Sequence, residues 1–438
     1  MSIQILWRNS LKRFFLILIF IISNNIFSIL EIEIIKGSDN LSKIAFVPFG
    51  VNEGLELSQG ENLAKLIEDN MLLFGEFENL DKAEMLAFPS LEKDFFYRDW
   101  KIQGVDFSVI GKINSVNALG NLNISYTLFN INRRIKVLEG EIVGSENNLD
   151  RIAKIISNRI YEKITGLKGI FDTKLAYVIN SNSDTYQMCI SDIDGKNERI
   201  LFTSKSPIMS PDWSPDRKKI AYVSFENGIA EIFIQDLQTG ERDSIQALGM
   251  TNSAPVWSPN GKNLALVVSF SGNPDIFLYS IISKRLSRLT NHYGIDTEPS
   301  WSPDSKKIIF TSDRSGSPQL YEINTSSKRQ KRLTRDGTYN ARGRYFPDGK
   351  SIFFVHGNNG NFQIATKKLS SRFIQTLTST SLDESPTISP NGNVIIYATK
   401  KGSKGYLGGI TLNGKSRFSL PVKNGSVREP AWSPLVNK

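Results

Sequence analysis

One short phrase recurs six times in the second half of this 438-residue chain. It reads SPDWSPDR from Ser210, APVWSPNG from Ala254, EPSWSPDS from Glu298, RGRYFPDG from Arg342, SPTISPNG from Ser385 and EPAWSPLV from Glu429. The anchor positions are Trp213, Trp257, Trp301, Tyr345, Ile388 and Trp432, and successive anchors lie 44, 44, 44, 43 and 44 residues apart. So regular a period implies a repeated supersecondary unit whose apolar face is buried by its neighbour.

Each period reads as β throughout. A Pro-Asp or Pro-Asn corner supplies hairpin-turn chemistry. An apolar strand follows it, at Lys219 to Phe225, Asn263 to Phe270, Lys307 to Ser312, Ser351 to Val355 and Asn393 to Thr399. A third strand begins near Glu231, Asp275, Gln319, Gln363 and Tyr406, and a short polar fourth strand closes the unit. Four antiparallel strands in about 44 residues is the period of a propeller blade. Before the first anchor the chain supplies second, third and fourth strands, at Lys174 to Ile179, Gln187 to Ile193 and Asn197 to Ser204. After the last anchor it supplies a first strand alone. The expectation is a six-bladed all-β propeller over 173–438, closed by a blade shared between N- and C-terminal strands. One bulky anchor per repeat suits packing between blades better than ligand stacking.

Residues 29–165 lack the repeat and alternate in type, which predicts a small N-terminal α/β domain. Its strands are expected at Glu31 to Ile35, Lys43 to Phe49 and Val105 to Ile113, with a hairpin of Leu122 to Phe129 and Ile135 to Val143. Helices are expected from Gly60 to Phe74 and from Asn148 to Ile164, and residues 166–172 (GLKGIFD) form the hinge. At the start, Arg8, Lys12 and Arg13 lead into the apolar run Phe14 to Ile22 with no acid before residue 31. That run is too short to span about 30 Å of hydrocarbon, so residues 1–28 read as an export signal peptide, with an uncleaved amphipathic anchor as the alternative.

Loss of that segment lowers the formal charge from +9 to +6, a mild excess held by no single element. The densest basic run, Lys328 to Arg335, has two readings: a phosphate-binding patch, or a solvated edge strand on which cations oppose aggregation. The repeat favours the edge.

Recognisable catalytic chemistry is sparse. The chain has two histidines, His292 and His356, and one cysteine, Cys189. G-x-S-x-G, P-loop, HExxH and Rossmann patterns are missing, as is any Cys/His metal spacing, so no catalytic residue, metal site or cofactor is assigned. Glu298, Glu384 and Glu429 fall near one mouth of the central channel and could serve a cation, but Arg342 and Arg428 occupy equivalent segments. These pre-strand segments differ from repeat to repeat, whereas the Trp-Ser-Pro after them recurs in four of the six, with Tyr-Phe-Pro at Tyr345 and Ile-Ser-Pro at Ile388. A ring of variable tips on a constant scaffold suits a docking face.

The order of parts, with GVDFSVIGKI, ITGLKGIFDTKLAYV, TEPSWSPDSKKIIFTSDRSGSPQLY and the terminal EPAWSP, resembles the TolB family, the periplasmic component of the Tol-Pal system. The resemblance implies a non-enzymatic periplasmic monomer that binds the peptidoglycan-associated lipoprotein through the propeller face and TolA of the inner-membrane Tol complex through its mature N-terminal segment. Its role would be outer-membrane integrity and constriction during cell division. The lipoprotein-binding residues carried over are Ser253, Ala254, Thr297, Glu298, Arg342, Glu384, Ser385 and Arg428; toxins using the same face are a further candidate partner. The TolA-binding segment would be Glu31, Ile32, Glu33, Ile34, Ile35 and Lys36, whose alternation suits strand addition. An ordinary edge strand of the leading domain is the alternative for that segment. No nucleic acid and no membrane span after signal cleavage are expected. The rival functions are a metal-dependent, lactonase-like propeller enzyme and the accessory propeller of a peptidase.

Overall fold

The computed structural model describes residues 33–36, 41–52, 54–115, 121–181, 185–245, 249, 251–270, 272–412, 416–420 and 425–435. The expected export signal, Glu31 and Ile32 lie outside the described residues, as do the side chains of Glu33 and Lys36.

The repeats fold as six four-stranded units, each running outward from an innermost strand that carries the anchor residue. Blades 1 to 5 begin with Ile208–Trp213, Thr251–Trp257, Asp296–Trp301, Tyr339–Tyr345 and Asp383–Ile388. Blade 6 takes its innermost strand, Ser426–Trp432, from the far end of the chain, and pairs it antiparallel with Lys174–Asn180. Tyr186–Asp192 and Arg199–Ser204 complete that blade. Ser433 reinforces the junction: its N–H donates to the Lys174 carbonyl (2.9 Å) and its Oγ accepts from the Lys174 N–H (2.9 Å).

Anchor side chains hold one blade to the one before. The Trp213 indole N–H donates to the Ala431 carbonyl at 2.9 Å, and that of Trp301 to the Val256 carbonyl at 3.1 Å. The Tyr345 hydroxyl donates to Glu322 of blade 3 at 2.7 Å. The indoles of Trp213 and Trp301 are nearly buried yet keep a hydrogen bond, so apolar area is removed from water without an orphaned donor, whereas the equally buried Trp257 indole N–H has no partner among the described residues. Beyond the anchor, Ser214, Ser302 and Ser389 accept from the backbone of residues 219, 307 and 394 and donate to Asp216, Asp304 and Asn391, fixing the corner in those repeats.

The leading domain is a mixed sheet ordered Phe77–Asn79, Ser42–Phe46, Phe107–Ser115, Asn121–Asn130, Ile135–Ser145, with Gly50–Val51 also beside the third of these. The first three are parallel and the last two form the expected hairpin. Two helices, Leu57–Leu72 and Leu149–Thr165, cover one face. Leu63, Ile67 and Met71, at a spacing of four, point into the core, as Ile152, Ile156 and Ile160 do from the second helix. Gly60 is required where the first helix crosses the chain at Phe49, because a Cβ there would lie 1.9 Å from the Phe49 carbonyl oxygen. Gly166 ends the second helix in a left-handed conformation (φ 77°), its N–H bonded to the Glu162 carbonyl.

The two domains share one apolar core. Phe74 packs 5.4 Å from Phe418 and 6.1 Å from Trp432, ring centre to ring centre, and Phe171 of the connecting segment packs against Tyr161. At the seam Asn393 donates to Glu76 (2.8 Å) and to the Tyr161 hydroxyl (3.0 Å), which itself donates to Glu76 (2.8 Å). Beside it Asp192 accepts from Lys154 at 2.8 Å and Lys174 at 2.5 Å. Burial alone would raise the Asp192 carboxyl, but the hydrogen bonds from Lys154, Lys174 and Asn197 outweigh it and hold the group down at about 2.

The strand Glu33–Lys36 belongs to neither the leading sheet nor a sheet of its own. It adds antiparallel to Arg417–Leu420 as a fifth, outermost strand of blade 5. Period-two alternation specified a strand; it could not say which edge would receive it.

Candidate functional site

All six innermost strands carry a bulge at the same place. Register slips between Met209 and Asp212, Ser253 and Val256, Thr297 and Ser300, Ala341 and Arg344, Glu384 and Thr387, and Arg428 and Ala431. In each the residue before the proline or glycine adopts positive φ: Ser210 (52°), Ala254 (48°), Glu298 (53°), Arg342 (53°), Ser385 (50°) and Glu429 (54°). Left-handed backbone is costly for residues with a Cβ, so six equivalent instances mark a feature built into the repeat. The bulge turns these side chains toward the channel, where all six line a cavity of about 70 Å³.

Arg342 is the hub of this ring. Its Nε lies 3.0 Å from Glu298 of the neighbouring blade, and Nη1 donates to Ser385 and reaches Glu429 at 3.3 Å. Glu298 also accepts from the Arg342 N–H (3.0 Å) and the Thr311 hydroxyl (2.8 Å). Glu429 accepts from the Ser385 hydroxyl (3.0 Å) and the Ser210 N–H (3.0 Å). Burial works against charge on Arg342, yet the carboxylates of Glu429, Glu298 and Glu384 prevail and strengthen its hold on the proton. Glu429 shows the mirror case: burial would raise its carboxyl, and Arg342, Ser385 and the Ser210 N–H bring it below the usual range.

One step deeper, Asp212 accepts from the Trp257 N–H at 2.7 Å. Burial pushes its carboxyl up to about 6, against the pull of Arg344 and of that N–H. Among the described residues no group of three or more His, Cys, Asp or Glu side chains is placed to hold a metal ion.

The eight face residues singled out in the sequence therefore divide. Ala254, Glu298, Arg342 and Ser385 enter the channel mouth. Ser253, Thr297 and Glu384, one residue earlier, stay in register with the second strand of their blades. Glu384 and the exposed Arg428 line a separate groove of about 220 Å³ between blade 5 and blade 6. Ser210 and Glu429 belong to the same variable pre-strand segments but are absent from the eight residues that the family resemblance carries over. Their equivalence to Glu298 in the repeat was the available signal.

Of the N-terminal segment, Ile34 and Ile35 remain 46% and 64% exposed although the backbone is paired, so this strand presents apolar side chains to solvent. No helix among the described residues is long and apolar enough to cross a membrane.

Residues 161–436 match the family model described as the TolB beta propeller domain, and residues 30–137 that of the TolB amino-terminal domain. The chain is 51% identical over 413 residues to the Tol-Pal system protein TolB of Pseudomonas entomophila, covering 93% of this chain and 94% of that one. It is 52% identical over 430 residues to the protein of the same name from Hahella chejuensis, covering 98% and 100%. The crystal structure of TolB from Acinetobacter baumannii superposes with a TM-score of 0.84 at 36% identity, covering 93% of this chain and all of that one. Domain order and similarity over nearly the whole length agree, and the chain belongs to the TolB family of the Tol-Pal system.

Proposed function

We propose that this protein is a non-enzymatic scaffold of the periplasm that binds the peptidoglycan-associated lipoprotein through the bulged mouth of the propeller and TolA through its N-terminal segment. By joining an outer-membrane partner to an inner-membrane one it would support envelope integrity and constriction during division. The observation that carries the reading is the ring of six bulges, which brings one side chain from each blade, of four chemical kinds, around one opening on an otherwise repeated frame. The second partner fits the Glu33–Lys36 strand, since a short strand held at a sheet edge can exchange that edge for a partner's.

Because Glu298 is tied to Arg342 inside the channel, reversing its charge would disturb folding and binding together. The groove offers a cleaner test. Arg428→Glu, at an exposed residue outside the Arg342 network, is expected to weaken binding of the soluble lipoprotein domain at least tenfold by titration calorimetry, with an unchanged melting temperature. Unchanged affinity would remove this face from the account.

A further inference from the structure

The positive charge of the molecule is gathered in one sector. Residues 323–382 contain eleven Lys and Arg against two Asp, a net of +9 that equals the formal charge of the whole chain. Arg342 and Arg344 of this set belong to the channel. The others lie on the outer strands and turns of blades 3 and 4, where the basic run found in the sequence forms the edge strand Gln330–Arg332.

That edge does not end in open solvent. Together with the turn 369–374 of blade 4 it encloses a cleft of about 540 Å³, lined by Lys331, Arg335, Lys367 and Arg372, with Asp336 the only acid in its lining. Lys367 is 8% exposed, and its ammonium donates to the carbonyls of Ser371 and Lys368. Arg335 and Arg372 are exposed and make no ion pair or side-chain hydrogen bond among the described residues. Burial, with Arg335 and Lys331 nearby, disfavours the charged form of Lys367 despite Asp336. An anion in the cleft would relieve that repulsion. Edge protection alone explains cations on the strand; it does not explain a buried ammonium that shares one cleft with two unpaired guanidinium forks, Arg335 beyond the blade 3 edge and Arg372 in the blade 4 turn.

We propose that this cleft binds phosphate groups, with Arg335 and Arg372 gripping the oxygens and Lys331 and Lys367 supplying the field. Guanidinium forks match phosphate geometry bidentately; Lys331 is already paired with Glu322 at 3.1 Å, but the two unpaired forks and Lys367 still outnumber Asp336 in the cleft. The phosphate can come from a lipid headgroup or from free phosphate. The turns between third and fourth strands of blades 2 and 3 carry Lys284, Arg285, Lys328 and Arg329, all exposed on the same side of the disc, which extends the positive field along an anionic surface.

The test uses the full chain and its Arg335→Gln/Arg372→Gln variant. Each is titrated with inorganic phosphate and floated with vesicles of phosphatidylcholine alone or mixed with phosphatidylglycerol, at low and at physiological salt. Saturable phosphate binding that weakens at least tenfold in the variant supports the site with free phosphate as ligand. Flotation only with phosphatidylglycerol, lost in the variant and reduced by salt, supports it with the lipid headgroup as ligand. The apolar N-terminal run is common to both proteins and cancels in the comparison. Lys284→Gln, outside the cleft, should leave phosphate titration unchanged. The proposal is overturned if neither ligand binds, or if parent and variant bind alike.

Discussion

The two ends of each innermost strand obey different rules. At the Trp-Ser-Pro end a bulky anchor and a closed corner recur: the indoles of Trp213 and Trp301 reach the preceding strand, and serine hydroxyls close the corner except in blade 4, where Phe346 stands in place of serine. At the bulged end the backbone repeats, with six positive φ values between 48° and 54°, but the side chains are Ser, Ala, Glu, Arg, Ser and Glu. Repetition of contacts builds a rigid disc, and repetition of backbone with variation of side chains gives that disc a chemically individual face. At the constant end Lys154 donates to Asp192 of blade 6, Glu76, Tyr161 and the Lys168 carbonyl accept from Asn393 and Asn391 of blade 5, and the Asp172 carbonyl accepts from Arg217 of blade 1. The domain is thus seated on the invariant side, away from the mouth.

This contrast can be broken most severely at the closing blade. Deleting Glu429–Lys438 removes most of the inner strand of blade 6, including the Glu429 arm of the mouth network and Trp432, whose indole donates to Thr173. The expected result is loss of the cooperative thermal transition. A truncated chain that melts like the parent would mean that closure contributes little.

Trp301→Ala probes the constant end within a single blade. It empties a nearly buried site and orphans the Val256 carbonyl, so urea unfolding should show a loss of about 3–5 kcal/mol. A loss below about 1 kcal/mol would show that the anchors are decoration.

The seam at the constant end carries a pH signature. The folded Asp192 carboxyl sits at about 2, below its ordinary 3.8, so its stabilisation is fully present above pH 4 and is lost as the pH falls toward 2. The loss attributable to this group is about 2 kcal/mol, and Asp192→Asn should flatten that part of the stability profile. An identical acid limb in the variant would assign the effect elsewhere.

The smallest effect is expected at the variable end. Ser253→Ala alters a half-buried side chain with no anchoring role, so stability should stay within about 0.5 kcal/mol by the same urea measurement. A larger cost would mean that the face is structural after all.

What was legible in the sequence follows the same division. The blades, their strand limits to within a few residues, the split closure and the packing role of Trp213 and Trp301 rest on features that recur every 44 residues or obey local periodicity. The mouth network does not. Arg342 and Glu429 are 87 residues apart in non-adjacent blades, and no local pattern announces their pairing. The bulges were equally silent, because glycine, the usual sign of left-handed backbone, is absent from all six positions. Lys367 lies 32 residues beyond Arg335, so the cleft appears only when blades 3 and 4 stand side by side.

Hydrogen exchange on the full chain, with and without the soluble peptidoglycan-associated lipoprotein domain, tests the division of labour most directly. New protection in the segments around Ser253, Thr297, Glu384 and Arg428, with no change at the Trp-Ser-Pro corners, is the predicted outcome. Protection confined to the corners, leaving the bulged ends to exchange as before, would contradict it.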